Sequence, residues 1–173
     1  MKRLFFALWP DHKTRQSLVQ VSHLIRAQAM KVVQPRNFHV TLVFLGNVDD
    51  ETESLINQGI DDISAKAFDL TFDQLSYWSR PKVLCLTCSH SVTEYVDLAV
   101  AVEQRVRDCG LQIDSQPYTP HITLARHVRH VTEISFEPIL WRAESFCLVQ
   151  SCSEPGGVIY EVLKQWPLSP GIK

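Results

Sequence analysis

The chain has no apolar run approaching the ~18 residues of a membrane-crossing helix. It has no charge excess either: 17 Lys and Arg stand against 19 Asp and Glu, a net charge of -2 over 173 residues. That balance argues against a long electrostatic footprint on nucleic acid, while a short RNA end or a nucleotide stays compatible. There is no cysteine framework. The five Cys (85, 88, 109, 147 and 152) are odd in number, so reduced thiols in a cytoplasm are expected. Cys85-x-x-Cys88 has no second pair to complete a four-ligand zinc knuckle and reads as buried core. No low-complexity linker divides the sequence. With 45 % apolar residues the chain can bury a sizeable core as one domain, or as two small lobes sharing one. The start, Met1 to Pro10, is basic and then apolar. Pro10-Asp11 comes next with no small-residue cleavage site, so a first strand is expected and not a signal peptide.

What the chain does have is a repeated tetrapeptide, His39-Val40-Thr41-Leu42 and His121-Ile122-Thr123-Leu124. Chance alone gives roughly 0.4 His-x-Thr pairs for this composition, and far fewer with the same aliphatic filling and the same Leu. A lone His on a strand is usually a half-buried ring with a satisfied hydrogen bond. Two matched copies point instead to a duplicated unit that brings two histidines to one pocket. Side chains alternate along a strand, so residues i and i+2 share a face. Phe38, Val40, Leu42 and Phe44 are then expected in the core, with His39 and Thr41 opposite. His121 and Thr123 share a face in the second copy. Two imidazoles and two hydroxyls suit an anionic tetrahedral group such as phosphate.

The remaining pattern reads as alternating strands and helices. Leu4 to Trp9 is a strand, and Asp11 caps a helix running to about Met30 with Leu18, Val21, Leu24 and Ile25 inward. The first motif strand closes at Gly46. Asp50-Glu51-Thr52-Glu53 reads as a capping box opening a second helix, with Leu55, Ile56, Ile60 and Ile63 on one face. Strands are expected at Phe68–Phe72 and Val83–Cys88. Ser91-Val92-Thr93-Glu94 reads as another capping box, for a helix to Cys109 with Val96, Ala99, Val102 and Val106 inward and Gly110 as its left-handed stop. The second motif strand, His121 to about Arg126, precedes strands at Glu144–Gln150 and Val158–Lys164, joined by a turn at 154–157. The expected class is α+β with mostly antiparallel pairing and a loose internal duplication.

These residues resemble the 2H phosphoesterases, and within them the LigT-like RNA 2′,3′-cyclic phosphodiesterases, once described as 2′-5′ RNA ligases. Arg3 to Leu8 is similar to the family's opening strand. Asn37 to Gly46 and Pro120 to Arg126 are similar to its two motif blocks, and Ser151 to Leu168 to its final hairpin. The resemblance implies one domain, residues 1–173, of two pseudo-symmetric lobes whose small antiparallel sheets face a central groove, with helices outside. It implies opening of an RNA or nucleotide 2′,3′-cyclic phosphate to a 2′-phosphate end; His39 is taken as proton donor and His121 as proton acceptor, and the sequence leaves the exchanged assignment open. An imidazole has an ordinary pKa near 6.5, so two can hold opposite protonation states near neutral pH. Thr41 and Thr123 would bind the non-bridging oxygens. No metal or other cofactor is required, and a monomer with no membrane partner is expected.

Arg126 follows the second motif and could reach the phosphate, but simple alternation puts it on the face of Ile122. It needs a bulge or a strand end to turn into the groove. Phe5 and Tyr118 are candidates for stacking on a base, with burial in the core an equal alternative for each. Residues 126–130 form a short basic loop that could draw in RNA. Three rival readings remain open. A metal-dependent phosphoesterase would use His39 and His121 as ligands, with His127 and His130 as further candidates, but neither motif offers a carboxylate. A non-catalytic RNA-binding module needs a basic groove interleaved with aromatics. RNA ligation would use the same residues as hydrolysis.

Overall fold

The computed structural model describes residues 1–26, 31–115 and 117–171. Its organising unit is a strand, a helix and a motif strand that returns antiparallel to the first strand, and this unit occurs twice. In the first, β1 (Lys2–Leu8) leads through α1 (His12–Ile25) to β3 (Val40–Val48), and β1 pairs with β3. The two-residue β2 (Lys31–Val32) lies between α1 and β3 in sequence. In the second unit β6 (Val83–Thr87) leads through α3 (Thr93–Asp108) to β7 (His121–Arg126), and β6 pairs with β7. Two further strands, β9 (Ser145–Glu154) and β10 (Gly157–Pro167), form a hairpin that extends the first sheet to the order β10-β9-β1-β3. The second sheet runs β2-β7-β6-β5, with β5 at Gln74–Trp78. A third, two-stranded sheet pairs β4 (Phe68–Phe72) with β8 (Ile139–Ala143). Every named strand pair is antiparallel, as expected for the class.

Among the described residues, all three sheets and the helices α1 (His12–Ile25), α2 (Asp50–Ile60) and α3 (Thr93–Asp108) close on one continuous core. Leu4, Phe6 and Leu8 of β1 meet Leu84 and Leu86 of β6, Ile122 and Leu124 of β7, and the inner faces of the helices. The opposite face of β1 is also covered: Phe5 and Ala7 pack with Cys147 and Val149 of β9, and with Trp9 and Tyr160. This second layer carries the first motif.

Several helix ends differ from expectation. Asp11 caps α1 as read, its carboxylate accepting from the Thr14 N–H at 2.7 Å. The helix runs to Ile25, and residues 27–30 of the expected span lie outside those described. The cap of α2 (Asp50–Ile60) is Asp49, one residue earlier than the expected box, accepting from Thr52 N–H at 2.8 Å. Either Asp could fill the role, and helix phase decides, because Ile56 and Ile60 must face inward. Ser91 is not a cap: α3 starts after Val92 with no side-chain cap. Gly110 takes the left-handed stop at φ +86°. Leu24 and Leu55 turn out to solvent at 52 % and 48 % exposure, each at the edge of its helix's apolar stripe.

Candidate active site

Each motif histidine is fixed by the backbone immediately before it. The Nδ1 of His39 lies 2.7 Å from the carbonyl of Asn37, and the Nδ1 of His121 lies 2.9 Å from the carbonyl of Thr119. A carbonyl oxygen only accepts, so Nδ1–H donates in both rings and the neutral tautomer leaves Nε2 bare. The same device, a ring tied to the residue two before it, is built twice. His39 Nε2 sits 3.1 Å from the Thr41 hydroxyl, the geometry the i, i+2 spacing predicts. The Thr41 carbonyl accepts from Tyr95 Oη at 2.6 Å, which joins α3 to the motif strand. Thr123 lies on the corresponding face of β7, its hydroxyl 3.6 Å from the Cys85 thiol.

Alternation fails after the third motif residue in both strands, and in the same way. Phe6 pairs with Val43 but Ala7 with Thr41, so Leu42 is an extra residue in β3. Leu84 pairs with Ala125 but Cys85 with Thr123, so Leu124 is an extra residue in β7. A one-residue bulge exchanges the faces of the residues beyond it. Arg126 is thereby returned to the face of Thr123, which meets the condition the sequence set for it. Phe44 is moved out of the core, where alternation had placed it, to 61 % exposure, and Val43 and Leu45 are buried in its stead.

Aromatic rings hold the imidazoles. Trp9 stacks on His39 with ring centres 5.8 Å apart and planes 13° from parallel. Tyr160 meets the same ring edge-on at 5.0 Å, and Phe5 lies at 5.0 Å. Phe5 is only 3 % exposed and forms the floor beneath His39, the core placement that stood beside base stacking as its second reading. Around His121 the contact is Trp78, edge-on at 4.7 Å. Tyr118 packs partly into the core and its hydroxyl is buried with no partner among the described residues. It also lines a cavity of about 380 Å³ shared with Thr41, Phe44, Trp78, Thr119 and His121, so the two motifs open onto one space.

The electrostatics reflect this burial. His39 is pushed down to about 4, chiefly by burial; the bond to Asn37 opposes the shift, and the positive charges of His121 and Arg126 add to it. Burial also lowers His121, opposed by its bond to Thr119 and aided by Arg126. Arg126 is therefore felt at both rings. Among the described residues no three His, Cys, Asp or Glu side chains gather as a metal site, and His127 and His130 are exposed on the loop beyond β7.

Asn37, Trp78 and Tyr160 shape the site and were not read as such from the sequence. Asn37 is buried and polar: its amide donates to the Val158 carbonyl at 2.8 Å and accepts from Tyr160 N–H at 3.4 Å. Its place two residues before His39 was the available signal. The ring contacts come from β1, β5 and β10, which sequence spacing does not connect.

The family model described as the 2′-5′ RNA ligase superfamily matches residues 10–151. The chain is 28 % identical over 172 residues to the RNA 2′,3′-cyclic phosphodiesterase of Escherichia coli (strain K12), covering 97 % of each. It is 26 % identical over 174 residues to the protein of the same name from Archaeoglobus fulgidus, covering 94 % of this chain and 98 % of that one. Among solved structures, E. coli LigT in apo form superposes with a TM-score of 0.86 at 27 % identity, over 97 % of this chain and 98 % of that one. E. coli LigT complexed with 3′-AMP gives 0.81 at 27 % identity, over 96 % and 97 %.

Proposed function

The chain belongs to the 2′-5′ RNA ligase superfamily, and on that premise we propose that it hydrolyses 2′,3′-cyclic phosphate ends of RNA or nucleotides to a 2′-phosphate. The observation that carries the reading is the duplicated tether. Both histidines donate Nδ1–H backwards to a carbonyl, which leaves both Nε2 atoms bare, and the two motifs border one cavity through Thr41 and His121. A base and an acid on opposite sides of a phosphorus atom are what in-line displacement requires.

In this reading Nε2 of His121 takes a proton from the attacking water as its oxygen bonds to phosphorus. The bond from phosphorus to the ribose 3′ oxygen breaks. Nε2–H of His39 delivers a proton to that oxygen, leaving a 2′-phosphate and a free 3′ hydroxyl. The cycle ends with His39 neutral and His121 protonated, and exchange with solvent restores the start. His39 is neutral at rest, so substrate must help charge it. An anionic phosphate beside the ring raises its pKa, and the Trp9 face favours the cation. Thr41, Thr123 and Arg126 hold the non-bridging oxygens, with Arg126 supplying charge-assisted bonds. Tyr118 borders the space for the nucleoside. Residues 1–173 work as one domain of two pseudo-symmetric lobes. One copy suffices, because both histidines come from one chain. Its five free thiols suit a reducing cytoplasm.

The deciding experiment is incubation of the purified chain with a 2′,3′-cyclic nucleotide in EDTA, with the product isomer assigned by phosphorus NMR. A 2′-nucleotide is expected. A 3′-nucleotide would reverse the leaving group, and no turnover would remove the reading.

A further inference from the structure

Charge on this chain is segregated, although its sum is close to zero. No acidic residue occurs between Asp73 and Glu94, nor between Asp114 and Glu133. Those two stretches contain β5, β6, β7 and the loop after β7. They carry Arg80, Lys82, Arg126 and Arg129, all exposed, and among the described residues none of the four is paired with a carboxylate. Lys31, also exposed, stands beside Arg126 in the register of β2 with β7.

The backbone beneath these cations is held in one piece. Val128 is fully buried, its N–H donates to the Lys82 carbonyl at 3.1 Å, and its own carbonyl accepts from Tyr77 Oη at 3.1 Å. The loop at 127–130 and the turn at 80–82 therefore form one surface. Among the described residues, the two non-glycine residues with left-handed backbone are Lys82, at φ +65°, and His127, at φ +56°. Both lie on this surface, one on each side of the bond that joins its halves. Such backbone is strained in a residue with a side chain and tends to mark functional loops. This exposed basic surface begins at Arg126, on the face of β7 that carries His121 and Thr123.

We propose that this surface seats the single-stranded RNA on the 5′ side of the reacting end, through its phosphates. The proposal rests on the phosphodiesterase reading and specifies its substrate: a polynucleotide end in preference to a free cyclic nucleotide. Each lysine or arginine that neutralises a single-strand phosphate contributes about 0.7 to the slope of log affinity against log salt.

The test compares a 2′,3′-cyclic mononucleotide with an eight-nucleotide RNA ending in the same group, for the wild type and for Arg80→Gln/Lys82→Gln/Arg129→Gln. Anisotropy binding of a fluorescent eight-nucleotide RNA with a 3′-phosphate is measured over a salt series. The wild type should favour the longer substrate at least tenfold in kcat/KM. The triple variant should lose most of that preference, keep its mononucleotide rate within twofold, and bind with a salt slope shallower by about 2. The unchanged mononucleotide rate also certifies the fold of the variant. Equal rates on both substrates in the wild type, or an undiminished preference in the variant, would overturn the proposal. So would binding to phosphatidylserine vesicles with no RNA preference, which would assign the patch to a lipid surface. If the wild type cleaves neither substrate, the phosphodiesterase reading fails alone. Salt-sensitive RNA binding that the triple variant loses would then still support the surface, and its absence would overturn that too.

Discussion

Arg126 and Phe44 occupy equivalent places in the two motif strands. Each stands five residues after its histidine and two after an extra leucine that reverses the strand's faces. The duplication therefore preserves the backbone device but not the side chain: one half of the groove offers a guanidinium and the other a phenyl ring. Arg126→Ala should lower kcat/KM by about 10- to 100-fold, the range for a lost charged hydrogen bond. Arg126→Lys should recover only part, because the planar fork is gone. Phe44→Ala should leave stability within about 0.5 kcal/mol, since the ring is exposed, while raising KM. Steady-state kinetics beside thermal melts separate the two positions. A Phe44→Ala variant that unfolds early would return that ring to the core.

Asn37 offers a different kind of test, because it touches neither the cavity nor the reacting atoms. Its side chain binds β10 while its carbonyl holds His39. Asn37→Ala leaves the Val158 carbonyl and the Tyr160 N–H without this partner, at a cost of about 1 kcal/mol. It should also lower kcat more than it raises KM, through a loosened His39. Urea denaturation and initial rates on a cyclic nucleotide check the two parts. Full activity in a destabilised variant would reduce Asn37 to a structural tie.

The motif pair, the antiparallel α+β class and most element positions were legible in the sequence, because each rests on local periodicity. The bulges were not. Nothing in His-Val-Thr-Leu-Val-Phe announces that Leu42 will be unpaired, since Val43 and Phe44 are both apolar and either face could take them. Arg126 gave the better hint, a charge that alternation would have sent toward the core side. The strands β5 and β8 were missed for a related reason: Gln74-Leu75-Ser76-Tyr77-Trp78 mixes polar and aromatic residues, and Leu140 of β8 is 76 % exposed. The choice between stacking and burial at Phe5 stayed open because a strand buried on both faces shows no alternation from which to choose a side. Net charge concealed the segregation of basic residues, because a sum carries no positions.

Acid should destabilise the fold through His39. Its pKa is lowered on folding from 6.5 to about 4, so the folded state binds fewer protons than the unfolded one between those values. Stability is complete above about 6.5 and is lost as pH falls toward about 4, to a limit of about 3 kcal/mol. His121 acts in the same direction. The carboxylates with lowered pKa, Asp11, Asp49, Asp61, Asp73 and Glu103, lose their contributions below the ordinary carboxylate range, outside most of this window. Chemical denaturation at pH 7, 6, 5 and 4.5 should show a slope that His39→Asn makes shallower. Identical slopes in the two proteins would mean that His39 is not held neutral by the fold.

The two histidines can be told apart by changing the leaving group. Each single alanine variant should lose about 10²-fold or more on a cyclic nucleotide, and the double variant should be little worse than the poorer single. Ribose oxygen leaves poorly unless protonated, whereas 4-nitrophenolate leaves without help. If His39 is the acid, His39→Ala should regain most of its deficit on a 4-nitrophenyl phosphodiester, and His121→Ala should not, because water still needs a base. The pH profile should change in step. With the wild type and a cyclic nucleotide the profile is a bell whose limbs belong to the coupled pair. Its alkaline limb should lie higher in kcat than in kcat/KM, because bound phosphate anion favours the charged imidazole. The His39→Ala enzyme on the activated ester should lose that alkaline limb and keep the acidic one. Rescue of His121→Ala in place of His39→Ala would exchange the two roles while leaving the pair intact.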